Sequence, residues 1–306
     1  MFPGQGSQYI GMGKEFYEQI PICKEVYDLA SEVTGLDIPA LCFEENEKIN
    51  ITEYTQICML ATEAAIYMAL EQNGYQPDVT AGLSLGEYGA LIASGVMTAE
   101  EAFELVRKRG IFMQEAVPAG GAMAAVLGLD AAAIEQICRD TAEQTGSEVS
   151  IANYNCPGQI VISGKKAAVE EACEKLKAAG AKRAIMLNVS GPFHSGMLVG
   201  AGEKLGKVLE NVEIHKPVIP YAANVTAQYV TEAEPVKDLL VKQVSSSVKW
   251  QQCVETMLAD GVDTFIEIGP GKTLAGFMRK IDRSVKTLNV EKLEDIEKVV
   301  EALKEA

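Results

Sequence analysis

A chain of 306 residues with 48% hydrophobic and 23% charged side chains can bury a substantial core, as one large α/β domain or as a core carrying a smaller insertion. Its formal net charge of −16 works against non-specific adhesion to nucleic acid or to an anionic membrane. Charges interrupt every apolar run before it reaches bilayer length, Phe2–Ser7 lacks the basic start and apolar core of a signal peptide, and seven scattered cysteines without a C-x-x-C pair fit a reducing compartment and no zinc site. A cytoplasmic protein is therefore expected.

Residues 2–13 (FPGQGSQYIGMG) read as a glycine-rich turn. This is either an ordinary loop or backbone that must approach a ligand closely. The glycines at 4, 6, 11 and 13 do not fit the dinucleotide fingerprint. Two amphipathic helical segments broken at Pro21 run from Lys14 to about Thr34. Glu53–Asn73 reads as a long helix closed by Gly74, with its Met and Tyr side chains filling core.

Val79–Leu83 has strand character and Glu87–Ser94 continues as a helix. Between them Gly82-Leu83-Ser84-Leu85-Gly86 spells G-x-S-x-G, the pattern of a nucleophile elbow. The serine would sit on a strained turn from which flanking glycines remove blocking side chains. The helix N-terminus, with the Leu85 N–H as first donor, would face a developing oxyanion. A Gly/Ser-rich turn without chemistry is the alternative.

Thr98–Glu101 is a capping box opening a helix to about Ala116. Arg109 falls on its apolar face, one turn from both Leu105 and Met113. Such an arginine snorkels at the rim, pairs with an internal carboxylate, or waits for an anionic ligand.

Pro118–Gly121 reads as a hinge into a different pattern. Strand Ala122–Leu127, helix Asp130–Gln144, strand Glu148–Asn155, strand Gln159–Ser163, helix Lys165–Ala179 and strand Lys182–Val189 follow in ferredoxin-like order. Residues 119–189 are thus expected to form a small inserted domain, with 1–118 and 190–306 as the core.

Only His194 and His215 are available as an imidazole base. His215 sits at the polar entry to an apolar run, as a solvated strand end does. His194 follows a Gly-Pro turn at the seam between domains, where a cleft forms, or is a helix-capping or exposed histidine. Downstream, strand Val218–Tyr221, helices Glu234–Gln243 and Trp250–Ala259, strand Thr264–Ile268, helix Thr273–Ile281, strand Val285–Val290 and helix Glu294–Lys304 imply a mostly parallel, doubly wound sheet. Gly271-Lys272-Thr273 is not a P-loop, because Gly269-Pro270 replaces the loop that motif needs.

FPGQGSQ at 2–8, GLSLGE at 82–87, Arg109, GPFHS at 191–195, NVTA at 224–227 and EIGPGK at 267–272 stand in an order that closely resembles the malonyl-CoA:acyl carrier protein transacylases. These belong to the acyltransferase family of fatty-acid and polyketide synthesis, and the resemblance covers essentially the whole chain. It implies a hydrolase-like core with a ferredoxin-like insertion, malonyl-CoA and acyl carrier protein as partners, phosphopantetheine carried by that protein, and no metal or redox cofactor. A monomer is expected. In this family pattern Ser84 is the nucleophile, His194 the base, and the Gln243 backbone carbonyl orients the histidine in place of an acidic residue. Backbone N–H groups of Gln5 and Leu85 form the oxyanion hole, Arg109 clamps the malonyl carboxylate, and Phe193 matches the malonyl-type pattern that crowds an α-methyl group.

The sequence departs from the family twice. Leu83 stands where many relatives have histidine, which implies tuning of the substrate pocket. Relatives also carry a short apolar strand ahead of FPGQG, and a shortened start rather than a lost central strand is the expectation here. A serine hydrolase of acyl thioesters and a polyketide-pathway acyltransferase are the alternative functions. Lys182-Arg183 and Arg279-Lys280 with Arg283 are candidate docking sites for an acidic carrier protein.

Overall fold

The computed structural model describes residues 1–117, 119–189 and 191–304, and side-chain caps open α-helices at Asp37, Thr98 and Asp130. Helices α1 (Lys14–Gln19) and α2 (Pro21–Thr34) break at Pro21, which opens α2 where a missing N–H leaves no bond unmade. After α3 (Ile38–Phe43) comes α4 (Thr52–Gln72), buried around nearly its whole circumference. Strand β1 (Thr80–Ala81) leads through the elbow into α5 (Gly86–Ala93). The next helix, α6 (Ala99–Ala116), opens on a complete capping box: Thr98 Oγ1 accepts from the Glu101 N–H, and the Glu101 carboxylate accepts from the Thr98 N–H.

Strands β2 (Gly121–Leu127), β3 (Val149–Cys156), β4 (Gln159–Lys165) and β5 (Arg183–Met186) alternate with α7 (Ala131–Thr145), between β2 and β3, and α8 (Lys166–Ala178), between β4 and β5. They form an antiparallel sheet of order β3-β4-β2-β5 with a hydrophobic core of its own, including Ile134, Ile162 and Leu176. Asp130 caps α7 by accepting from the Ala133 N–H. The sequence pattern extends the last strand to Val189. The ladder instead stops at Met186, with one more bond from the Leu187 N–H to the Met123 carbonyl. The Pro192 ring crosses hard against Gly121, so β2 offers no further edge there. Pro118 and Ser190, at the two expected domain joints, lie outside the described residues.

The chain then runs through α9 (Val199–Leu209), β6 (Tyr221–Ala222), β7 (Tyr229–Val230), α10 (Val236–Ser245), α11 (Trp250–Ala259), β8 (Thr264–Ile268), α12 (Thr273–Ile281), β9 (Lys286–Val290) and α13 (Leu293–Lys304). The strand read at Val218–Tyr221 contracts to β6. Val218 is 83% exposed, and its N–H bonds to the Ser94 carbonyl outside any ladder.

Strands β1 and β6 pair in parallel, β6 and β7 antiparallel, and β8 and β9 in parallel. Met1 and Phe2 stitch the two groups together. The Phe2 N–H bonds to the Ala81 carbonyl at 3.0 Å, and the Ile268 N–H bonds to the Met1 carbonyl at 2.8 Å. Beyond Met1, between β1 and β8, an apolar cavity of about 190 Å³ remains, lined by Tyr67, Val79, Phe265 and Ile266 among others. The Met1 amine is buried and bonds to the Ile266 carbonyl at 2.7 Å; burial pulls its pKa down to about 5. Among the described residues no helix is long and apolar enough to cross a membrane.

Candidate active site

Ser84 stands between β1 and α5 with φ 56°, a left-handed conformation rare for any residue but glycine. The residues two places to either side, Gly82 and Gly86, must be glycine for a steric reason. A Cβ on Gly82 would lie 1.8 Å from the Gly86 carbonyl oxygen, and one on Gly86 would lie 2.1 Å from the Phe2 carbonyl oxygen. Asn224 clamps the turn from the other side. Its Oδ1 accepts from the Ser84 N–H at 2.7 Å while its Nδ2 donates to the Gly82 carbonyl at 2.7 Å. Strain of this kind costs about 1–3 kcal/mol and persists only where the surroundings hold it. Here those bonds and the glycine contacts do so.

His194 is also in the left-handed region, with φ 58°, and is 4% exposed. Its Nε2 lies 2.7 Å from Ser84 Oγ, and its Nδ1 lies 2.8 Å from the Gln243 carbonyl oxygen. A carbonyl only accepts, so Nδ1 carries the proton and Nε2 turns a lone pair to the serine hydroxyl. Burial, reinforced by the Arg109 charge, lowers the His194 pKa to about 4, which keeps the imidazole neutral and basic in form near neutral pH. His215 is exposed and stays outside the site, 3.9 Å from the Glu213 carboxylate.

Arg109 is 1% exposed, so the periodicity that set it on the apolar face of α6 put it inside the protein. Its Nη1 donates to Gln56 Oε1 at 2.6 Å, and its Nη2 donates to Gln243 Oε1 at 3.0 Å and reaches Ser84 Oγ at 3.5 Å. The guanidinium carbon also lies 5.4 Å from the centre of the Tyr88 ring. Each of these partners is neutral. A full positive charge is thus held beside Ser84 Oγ by oxygens that can yield to a stronger anion.

Ser84, His194 and Arg109 share a cleft of about 230 Å³ with Gln5, Leu85 and Phe193. Met123, Asn153, Asn155 and Val161 of the small sheet close its other wall. Leu83 lines the same cleft, whereas Gln243 stands behind it. The Gln5 side chain is tied back to Thr52 Oγ1 at 3.0 Å.

Reading the sequence missed Gln56, Glu87 and Asn224 as members of this assembly. Glu87 and Asn224 lie inside the GLSLGE and NVTA motifs, but an acidic residue in a first helical turn has an ordinary explanation in the helix dipole. Gln56 gave a fainter signal, one of several polar side chains, with Thr55, Thr62 and Glu63, buried along α4.

A serine hydroxyl bonded to a buried histidine at a strand–helix elbow is the arrangement of a class, the α/β enzymes that carry an acyl group on serine. Within that class, residues 1–299 match the acyl transferase domain family, and the chain belongs to it. It is 48% identical, over 100% of its own length and 96% of the relative's, to the malonyl CoA-acyl carrier protein transacylase of Bacillus subtilis. The crystal structure of malonyl CoA-acyl carrier protein transacylase from Clostridium perfringens superposes with a TM-score of 0.95 at 45% identity, covering 99% of this chain and 96% of that one. A type II PKS acyl-carrier protein in complex with its malonyl-transacylase gives another match, with a TM-score of 0.95 at 40% identity and 98% of both chains covered.

Proposed function

We propose that this chain transfers malonyl from malonyl-CoA to the phosphopantetheine thiol of an acyl carrier protein, serving fatty-acid synthesis, through a malonyl ester on Ser84. The observation that carries the reading is the Arg109 guanidinium, 3.5 Å from Ser84 Oγ and bonded to neutral oxygens. A malonyl group has a carboxylate two bonds beyond its thioester carbonyl, and a bidentate guanidinium–carboxylate pair fits it. Acetyl would leave that buried charge without an anionic partner.

In the first half-reaction the Ser84 Oγ–H proton passes to His194 Nε2 as Oγ attacks the thioester carbonyl. Backbone N–H groups of Gln5 and Leu85 would hold the oxyanion. The carbon–sulfur bond then breaks, and coenzyme A leaves as its thiol with the proton from His194. The carrier thiol gives its proton to Nε2 in turn and attacks the Ser84 ester, and His194 returns the proton to Ser84 Oγ. Throughout, the Gln243 carbonyl fixes the ring and stabilises its cationic form. Phe193 beside the base crowds a branched acyl carbon. Neither half-reaction calls for a metal or a redox cofactor.

The same reading takes 1–118 and 190–306 as a hydrolase-like core and 119–189 as a ferredoxin-like domain; the β3-β4-β2-β5 order and the separate core support this. Arg279, Lys280, Arg283, Lys182 and Arg183 are proposed to receive the acidic carrier. Lys280 Nζ donates to Gln159 Oε1 at 2.9 Å, which brings α12 to the start of β4 near these lysines and arginines. A cytoplasmic monomer completes the proposal.

The test is the fate of the acyl-enzyme. Release of malonyl from the enzyme should be slow in water and at least about a hundredfold faster with holo carrier protein, a difference of about 3 kcal/mol in barrier. Release at the same rate with and without carrier would make the protein a thioester hydrolase and overturn the proposal.

A further inference from the structure

Gln243 joins the base, the cation and the nucleophile, and the direction of its carboxamide matters to all three. Its backbone carbonyl takes the His194 Nδ1–H at 2.8 Å, and its Oε1 takes Arg109 Nη2 at 3.0 Å. Its Nε2 donates to the Ser84 carbonyl at 2.8 Å and to Glu87 Oε2 at 2.6 Å, with Asn224 Oδ1 at 3.3 Å. Turned end for end, the amide would set N–H groups against the guanidinium and its oxygen against other oxygens.

Glu87 reinforces the first of these states, together with the Ser84 carbonyl, which only accepts, and the guanidinium, which only donates. It is 1% exposed and absent from the cleft lining, so it does not meet a substrate there. As a carboxylate it can only accept, and the Asn224 N–H approaches both its oxygens at 3.4 Å. Its shorter bond comes from Gln243 Nε2 at 2.6 Å, an arrangement that leaves the amide oxygen for Arg109.

We propose that Glu87 is a positioning residue for acyl selectivity: its carboxylate locks the Gln243 carboxamide with the oxygen toward Arg109, and so keeps the guanidinium aimed at the acyl group on Ser84. This rests on the malonyl reading above. A purely structural role for Glu87, as an acidic residue in the first turn of α5, would affect all acyl groups alike.

The lock has a chemical release. A protonated Glu87 resembles glutamine, which donates as well as accepts, so it stops opposing the reversed amide and leaves only the Ser84 carbonyl and the guanidinium to hold the direction. Burial pushes the Glu87 pKa up to about 7, against the bonds from Gln243 and Asn224 and the charge of Arg109. Tyr88 on the same helix, Tyr221 of β6, Cys253 of α11 and Arg109 of α6 also bear on it electrostatically. Burial drives both phenols and the thiol up, Tyr88 to about 12, so they stay neutral between pH 5.5 and 8.5, and Arg109 stays cationic.

The experiment measures acyl-enzyme formation from malonyl-CoA and from acetyl-CoA, for the parent chain and Glu87→Gln, across that pH range. At pH 8 the malonyl preference should fall about tenfold in the variant, chiefly through KM for malonyl-CoA. The parent's preference should fall below pH 7 while the variant's stays level. Glu87→Asp, acceptor-only but one methylene short, should recover part of the preference. Equal losses for both substrates, or a parent preference that is level through pH 7, would overturn the proposal; the second arm decides even if Glu87→Gln does not fold. A parent chain that forms no malonyl-enzyme at all would overturn the functional reading and this proposal with it. A malonyl-enzyme in the parent with an unchanged ratio in the variant overturns the role of Glu87 alone.

Discussion

Replacing Arg109 tests the proposed carboxylate clamp by setting malonyl-CoA against acetyl-CoA. In Arg109→Ala the malonyl carboxylate would enter the same buried cleft with no cation to meet it. Losing one partner of a buried, hydrogen-bonded charge pair costs about 2–4 kcal/mol, which is roughly a 30- to 1,000-fold fall in kcat/KM for malonyl-CoA. Acetyl-CoA brings no carboxylate. It should suffer only from the loosened Gln56 and Gln243 carboxamides, whose oxygens at 2.6 and 3.0 Å each lose a donor. At about 1 kcal/mol apiece, and only partly transmitted to Ser84, that predicts no more than a tenfold loss. Rapid-quench acylation followed by intact-protein mass spectrometry reads both substrates on one scale. Arg109→Met, which fills more of the vacated space, controls for packing. Equal losses for malonyl-CoA and acetyl-CoA would refute the reasoning.

Gly82→Ala should unfold the elbow: its Cβ would sit 1.8 Å from a backbone oxygen, and at least about 3 kcal/mol of overpacking should appear as a lower melting temperature with no acyl-enzyme. Asn224→Ala orphans the Ser84 N–H and the Gly82 carbonyl, which at about 1–3 kcal/mol each should move the midpoint of denaturant unfolding and slow acylation; an unchanged midpoint would remove Asn224 from the assembly. Stability should also respond to pH in opposite senses at two buried groups. His194 titrates near 4 when folded against 6.5 when unfolded, so it costs stability as pH falls from 6.5 to 4, by about 3 kcal/mol, and His194→Gln should abolish that loss. Glu87 titrates near 7 when folded against 4.5, so it costs a similar amount as pH rises from 4.5 to 7, and Glu87→Gln should abolish that one. Difference curves of variant against parent, from denaturant unfolding at each pH, check both signs.

Local physics made the helices legible in the sequence. Pro21, the Thr98–Glu101 box and the Asp130 cap act within one turn of the chain, and each helix begins where they place it. Strand ends were less legible because their limits are set by distant chain. Pro192 crossing Gly121 shortens β5, and nothing in residues 182–189 announces it. The site divides in the same way. The serine turn carries its own signature, and helical period put Arg109 on a buried face. Whether that arginine served as a rim residue, an ion-pair partner or a ligand site stayed open, because its partners Gln56 and Gln243 are 53 and 134 residues away. Likewise Asn224 meets Ser84 across 140 residues and Glu87 meets Gln243 across 156, so no spacing rule could pair them. The position of Gln243 came from family resemblance, since a backbone carbonyl leaves no mark in a sequence.

The central claim is a malonyl group carried on Ser84. Brief mixing with malonyl-CoA, intact-protein mass spectrometry and peptide mapping test it directly. The account predicts a malonyl mass increment on the peptide that contains Ser84, absent from Ser84→Ala and transferred when holo carrier protein is added. An increment that maps elsewhere, or persists in Ser84→Ala, would contradict it.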